Sequence, residues 1–246
     1  MTWAGKIFAY CERGTNAAFW AEPWNAISNL AFLVAAASAL LLWLKSPRES
    51  RGVVELILIA IVGLIGIGSF MFHTFATRWA AIADTAPIGI FMLAYAGYAL
   101  RRYLSLDWWK VAASLLGFVL LLAAASAAPC PPPLRQLVQG GACLNGSLGY
   151  VPALAMLAGV SAAAYAKGHP AAPYLLAAAI IFSASLTART LDQQLCGNLS
   201  LFGRPRGTHA LWHVLNASLL WILLVSAIRH GSPTQVQAVP EAKATA

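Results

Sequence analysis

The chain has 246 residues, 60% of them hydrophobic and only 10% charged, with a net charge of +8. That balance excludes an ordinary soluble domain and fits a polytopic membrane protein. Most of the basic excess lies in short loops between apolar segments, where orientation and lipid headgroups account for it, and no nucleic-acid motif is present.

Met1 to Trp20 lacks a sustained apolar core, so no separate cleavable signal peptide is expected and the first span serves as its own insertion signal. Seven apolar segments can be read: Trp24–Leu44, Val53–Phe72, Asp84–Leu100, Trp109–Ala128, Leu148–Ala166, Pro173–Ala188 and Thr208–Ile228. Each is about long enough to cross a hydrocarbon core of ~30 Å. Breakers such as Lys45-Ser-Pro-Arg and Gly203-Arg-Pro-Arg-Gly fill the connections. The expected fold is an all-α seven-transmembrane helix bundle, one domain over residues 1–230, with a disordered cytoplasmic tail over 231–246.

Seven spans put the termini on opposite sides. Nine basic residues (Lys45, Arg48, Arg51, Arg101, Arg102, Lys110, Lys167, Arg229, Lys243) fall on one side and seven (Lys6, Arg13, Arg78, Arg135, Arg189, Arg204, Arg206) on the other. The bias predicts a cytoplasmic C-terminus and an extracytoplasmic N-terminus. Cys11, Cys130, Cys143 and Cys196 all fall on the outer side, where an oxidising compartment permits disulfides. Four cysteines allow three pairings; Cys130–Cys143 within one loop and Cys11–Cys196 are favoured, with four free thiols as the alternative.

On this topology His73, Asp84, His209 and His213 share one depth near the outer boundary, with Ser69 one turn below His73. His209 and His213, at spacing i, i+4, lie on one helix face. Imidazoles and carboxylates within membrane spans are costly and need a reason. Three neutral imidazoles with a fourth position open suit a catalytic zinc, which lowers the pKa of water to ~7. Asp84 is placed to move a proton and Ser69 to stabilise an oxyanion. Each also has a structural alternative: Asp84 as a helix N-cap, Ser69 as part of the close-packing face of Gly63, Gly66 and Gly68, and His73 as an interfacial residue. In Glu22-Pro-Trp-Asn25-Ala-Ile-Ser28-Asn29, the polar face of Asn25, Ser28 and Asn29 reads as interhelical hydrogen bonding. Glu12 and Glu22, at the outer end of the same helix, are either solvated or ligands for a hard cation such as Ca²⁺. Arg189 and Asp192 are spaced for an ion pair.

These pieces together resemble the alkaline ceramidases, within the seven-helix membrane hydrolases that also include adiponectin-type receptors. The matching segments are Glu22–Asn29, Ser69-Phe-Met-Phe-His73, Asp84, Asp192-Gln-Gln-Leu-Cys196 and His209-Ala-Leu-Trp-His213. The resemblance implies zinc on His73, His209 and His213, with Ser69 and Asp84 beside it. It also implies hydrolysis of ceramide to a sphingoid base and a fatty acid, a Cys11–Cys196 disulfide and an outer N-terminus. The membrane lipid, ceramide or a related N-acyl lipid, is the expected partner. A zinc-stapled lipid-sensing receptor with little turnover is the alternative. The N-terminal segment departs from the family: Ala9 stands where alkaline ceramidases carry a calcium-binding carboxylate, leaving Glu12 and Glu22 as the calcium candidates.

Overall fold

The computed structural model describes residues 2–132, 134, 143–201 and 203–231, so the tail expected to be disordered lies outside the described residues apart from Gly231. Among the described residues, seven helical segments are long and apolar enough to cross a membrane. The first is α1 (Pro23–Ser28) continued by α2 (Leu30–Lys45) across a break at Asn29. Then come α3 (Val53–Phe75), α4 (Arg78–Arg102) and α5 (Trp108–Ala127). The fifth is a 3₁₀ segment, Cys143–Tyr150, running into α6 (Val151–Ala166); α7 (Ala172–Leu191) and α8 (His209–His230) complete the bundle. Strand structure among the described residues is confined to a two-residue ladder before α8, with Leu201 opposite Arg204.

The apolar faces explain the packing. Phe32, Leu58, Val62, Ile65, Leu175 and Leu224 are buried between helices, whereas Leu41, Ile57, Leu120 and Ile180 are exposed on the outside of the bundle. Such exposed apolar surface is a liability in water and is stable in lipid. α8 is the most enclosed span, and α7 and α2 pack along it.

The turn between α3 and α4 sets the register of both helices. α3 ends where Ala76 adopts a left-handed backbone (φ 48°) and its N–H bonds to Phe72 O at 2.8 Å. A left-handed alanine is strained, but it closes a helix end and reverses the chain within two residues. α4 then starts at Arg78, not at Asp84 as the hydrophobic pattern indicates, because Arg78 and Trp79 extend the helix beyond its apolar stretch. The α3–α4 approach is very close at Gly68: a Cβ there would stand 1.9 Å from Ala83 O. Only glycine fits, so the neighbouring residues Ser69 and Asp84 are brought together by backbone contact.

The N-terminal segment crosses the same end of the bundle as an irregular strap. Ile7 N bonds to Ala76 O at 2.7 Å, Gln193 Nε2 donates to Ala9 O at 2.8 Å, and Cys11 is disulfide-bonded to Cys196. Cys130 is bonded to Cys143. Both disulfides therefore match the pairing favoured from the sequence.

Candidate functional site

His73 comes from the last turn of α3, and His209 and His213 from the first two turns of α8. All three are buried, His73 completely. One ring nitrogen from each lies within 4.8 Å of the others. Tetrahedral zinc with ~2.0–2.1 Å bonds needs nitrogens about 3.4 Å apart, a spacing that small side-chain rotations would give.

The hydrogen bonds around the rings tell which atoms remain available. His73 Nδ1 lies 2.5 Å from Glu22 Oε2, and His73 Nε2 is buried with no partner. His213 Nδ1 lies 2.7 Å from Ser28 Oγ. His209 Nδ1 is buried without a partner, while the ring stacks on Tyr10 with centroids 3.7 Å apart. An unpartnered buried ring nitrogen is costly. Two of the three rings carry such an atom, and Glu22 and Ser28 hold the Nδ1 atoms of His73 and His213, so the cluster is a donor set that fits a divalent transition metal such as zinc.

Ser69 and Asp84 stand beside this cluster. Both are buried, Ser69 lies against the Asp84 carboxylate, and both line one pocket with His209 and His213. Asp84 is nearly two turns inside α4, which removes the helix-cap alternative. Away from the histidines the pocket is apolar, passing Phe91, Met92, Leu157 and Leu219 and reaching Leu223 deep in the bundle.

Calcium is a different matter. Glu12 spends one carboxylate oxygen on Trp24 N and the other on Asn25 N, both at 2.9 Å, so it caps the start of α1. Burial pushes its carboxyl up from the usual glutamate range, and those two N–H donors oppose the rise. Glu22 is buried and holds Arg13 Nε, His73 Nδ1 and Asn25 Nδ2. Arg13 Nη1 donates to Asn16 O and Ala18 O, and Nη2 to His73 O at 2.8 Å. The guanidinium thus engages the carboxylate and carbonyl oxygens that a hard cation would need. Glu12 and Glu22 do not fit a calcium site in this arrangement.

Sequence reasoning misses three partners. Tyr10 lies in the strap, and burial pushes its phenol up to about 12, so it stays neutral against His209. Ser28 reads from the sequence as helix packing, yet its hydroxyl holds His213. Asp192 does not pair with Arg189. Its Oδ1 accepts from His209 N at 2.9 Å and its Oδ2 from Cys11 N at 3.1 Å, tying α8 to the strap. Burial raises the Asp192 carboxyl, and these two N–H groups act against that rise. Motif order alone signals Asp192, through its place four residues before Cys196.

A family model described as Ceramidase matches residues 8–240. The chain belongs to the ceramidase family. No curated protein matches it in a direct sequence comparison. The seven membrane-capable helices make this chain a multi-pass membrane protein, and the family name denotes hydrolysis of the amide bond of ceramide, a lipid. The five residues His73, His209, His213, Ser69 and Asp84 fall within the matched region.

Proposed function

We propose that this ceramidase-family chain is a zinc-dependent intramembrane amidase. It hydrolyses ceramide, or a related N-acyl lipid, to a sphingoid base or equivalent amine and a fatty acid. One observation carries the reading: three buried imidazoles from two helices converge, two of them lining the polar end of a largely apolar pocket, and ring nitrogens of the cluster are left unpartnered.

His73, His209 and His213 would hold the metal. A zinc ion there supplies Lewis acidity, polarising a carbonyl and lowering the pKa of water to ~7. Glu22 and Ser28 fix the orientation of His73 and His213 from behind. Asp84 accepts the proton of the attacking water and delivers it to the departing amine. The Ser69 hydroxyl donates a hydrogen bond to the oxygen that becomes negative during attack. The apolar pocket takes the acyl chain and excludes water from it.

The same reading puts the histidine end of the bundle outside the cytoplasm. The basic-residue bias supports that orientation, and so do two disulfides at this end, which suit an oxidising compartment. Residues 1–230 then form one membrane domain, and the tail from 231 is cytoplasmic.

The test is metal analysis together with turnover. Purified protein should carry about one zinc per chain, as a three-histidine site requires, and should release fatty acid from ceramide. His213→Ala should lose both while the helical content remains. Zinc without release from any of a panel of ceramides, esters and N-acyl lipids would favour a lipid-sensing receptor with a structural metal. Absence of zinc would overturn both readings.

A further inference from the structure

Arg189 occupies an unexpected place. The hydrophobic pattern ends the sixth span at Ala188, just short of it, but Arg189 lies in the last turn of α7 and lines the same pocket as Ser69, Asp84, His209 and His213. Among the described residues no carboxylate lies within ion-pair distance of it. Asp192, the acid at suitable helical spacing, spends its oxygens on the backbone of Cys11 and His209. Asp84 acts on the guanidinium only through space.

The neighbours that Arg189 does have are weak ones. Its carbon Cζ sits 5.2 Å from the Trp212 ring centre and 5.5 Å from that of Tyr150. Nη1 donates to Tyr10 Oη at a long 3.4 Å, and Nε is buried with no partner. The backbone, by contrast, is held firmly: Asn145 Nδ2 donates to Arg189 O at 2.9 Å. Asn145 belongs to a left-handed turn that ends at Gly146 (φ 79°), and a Cβ on Gly146 would come 3.1 Å from Nη2. The glycine leaves space for the planar group beside the pocket.

An arginine stays charged at every accessible pH, and its donors are costly to bury unpaired. Cation–π contacts offset part of that cost and leave the hydrogen-bonding edge unspent. The chemistry that satisfies such an edge is a planar, two-oxygen anion. Resting on the amidase reading of this pocket, we propose that Arg189 forms a carboxylate subsite beside the three histidines, binding the carboxylate of an acyl lipid whose chain fills the apolar pocket. Two sources share that chemistry: the fatty acid formed at the site, and the headgroup of an N-acyl amino acid used as substrate.

The experiment compares wild type, Arg189→Met and Arg189→Lys, each checked for zinc content and melting temperature. Binding of palmitate and of its neutral isostere palmitamide is measured by competition or by quenching of tryptophan fluorescence. Wild type should prefer palmitate. Arg189→Met should lose ~10- to 100-fold of that preference, as expected for a charged hydrogen-bonding partner, and Arg189→Lys should keep part of it. An unchanged preference in Arg189→Met, or an equal loss of both ligands, would overturn the proposal. The source is read from turnover of N-palmitoylglycine relative to N-palmitoylethanolamine. A fall of that ratio in Arg189→Met assigns the headgroup carboxylate; an unchanged ratio with relieved inhibition by palmitate assigns the product. Failure of every amide to turn over would count against the amidase reading, while the binding preference would still decide the role of Arg189.

Discussion

Glu22 Oε2 lies 2.5 Å from His73 Nδ1, and the other oxygen of the same carboxylate binds Arg13 Nε. One buried glutamate thus joins the N-terminal strap to a candidate metal ligand. A carboxylate behind a ligating histidine fixes the ring and raises its basicity, and its loss typically costs 10- to 100-fold in metal affinity. Glu22→Gln retains an acceptor but removes the charge that Arg13 and His73 share. Zinc affinity, read by competition with a chromogenic chelator, should fall by ~10- to 100-fold. An unchanged affinity would detach Glu22 from the metal site.

Asp84→Asn separates chemistry from metal binding. Asp84 is not among the three histidines proposed to hold the metal, so zinc content should stay near one per chain. A general acid–base residue contributes typically 10²- to 10⁴-fold, so kcat should fall by about that factor. Steady-state fatty-acid release beside metal analysis reads both. Full activity would remove Asp84 from proton transfer.

Gly68 tests the close approach of α3 and α4. A methyl group there meets the Ala83 carbonyl at 1.9 Å, and a backbone oxygen has little freedom to yield. Gly68→Ala should push the helices apart at a cost of ~1–3 kcal/mol. Because Ser69 and Asp84 flank the contact, turnover should fall by roughly 10²-fold, the scale of a 1 Å misplacement. His73 lies one turn further along α3 and α8 is untouched, so zinc content should change less than rate. A rate equal to wild type would mean that Ser69 and Asp84 need not meet.

The helix count, the histidine cluster and the family are legible in the sequence for a common reason. Membrane spans must satisfy their backbone internally, so apolar length encodes them directly. Charged or imidazole groups within them stand out against that background. Boundaries are less legible where helices leave the apolar slab: α4 begins six residues before Asp84, and α7 continues to Leu191 and carries Arg189 with it. The partners of the histidines are hidden for another reason. Ser28 and Tyr10 reach His213 and His209 only through tertiary packing, with no periodicity to announce it. The family resemblance points to calcium at Glu12 and Glu22, but it carries no sign that Arg13 lies between the strap and α3.

The Cys11–Cys196 bond closes a loop with a sequence separation of 185. In the chain-entropy model a loop longer than 100 residues contributes about 5 kcal/mol. The bond also holds Tyr10, Glu12 and Arg13 against the histidine end, through residues adjacent to Cys11 in sequence. Cys11→Ser should lower the melting temperature clearly and reduce zinc retention on dialysis. Reductant should do the same to wild type and add little to the variant. Equal melting with and without reductant would show that the strap docks without its covalent tie.

Arg13 links the strap to Glu22 and the end of α3. Its guanidinium binds Glu22, the carbonyls of Asn16 and Ala18 and the His73 carbonyl, so a fixed organic cation stands among the oxygens that calcium would take. A calcium site with an affinity of ~10 µM would add about 2.7 kcal/mol of stability at 1 mM ion. No such gain is expected here. Melting temperature and ceramide turnover should be the same in EGTA and in 1 mM calcium. Arg13→Met should melt at a lower temperature, because it leaves the Glu22 charge short of a partner in a buried position, at a cost of ~3–5 kcal/mol. A calcium-dependent rise in the wild-type melting temperature would mean that Arg13 gives way to the ion, and that the hydrogen bonds holding Glu22 rearrange around it.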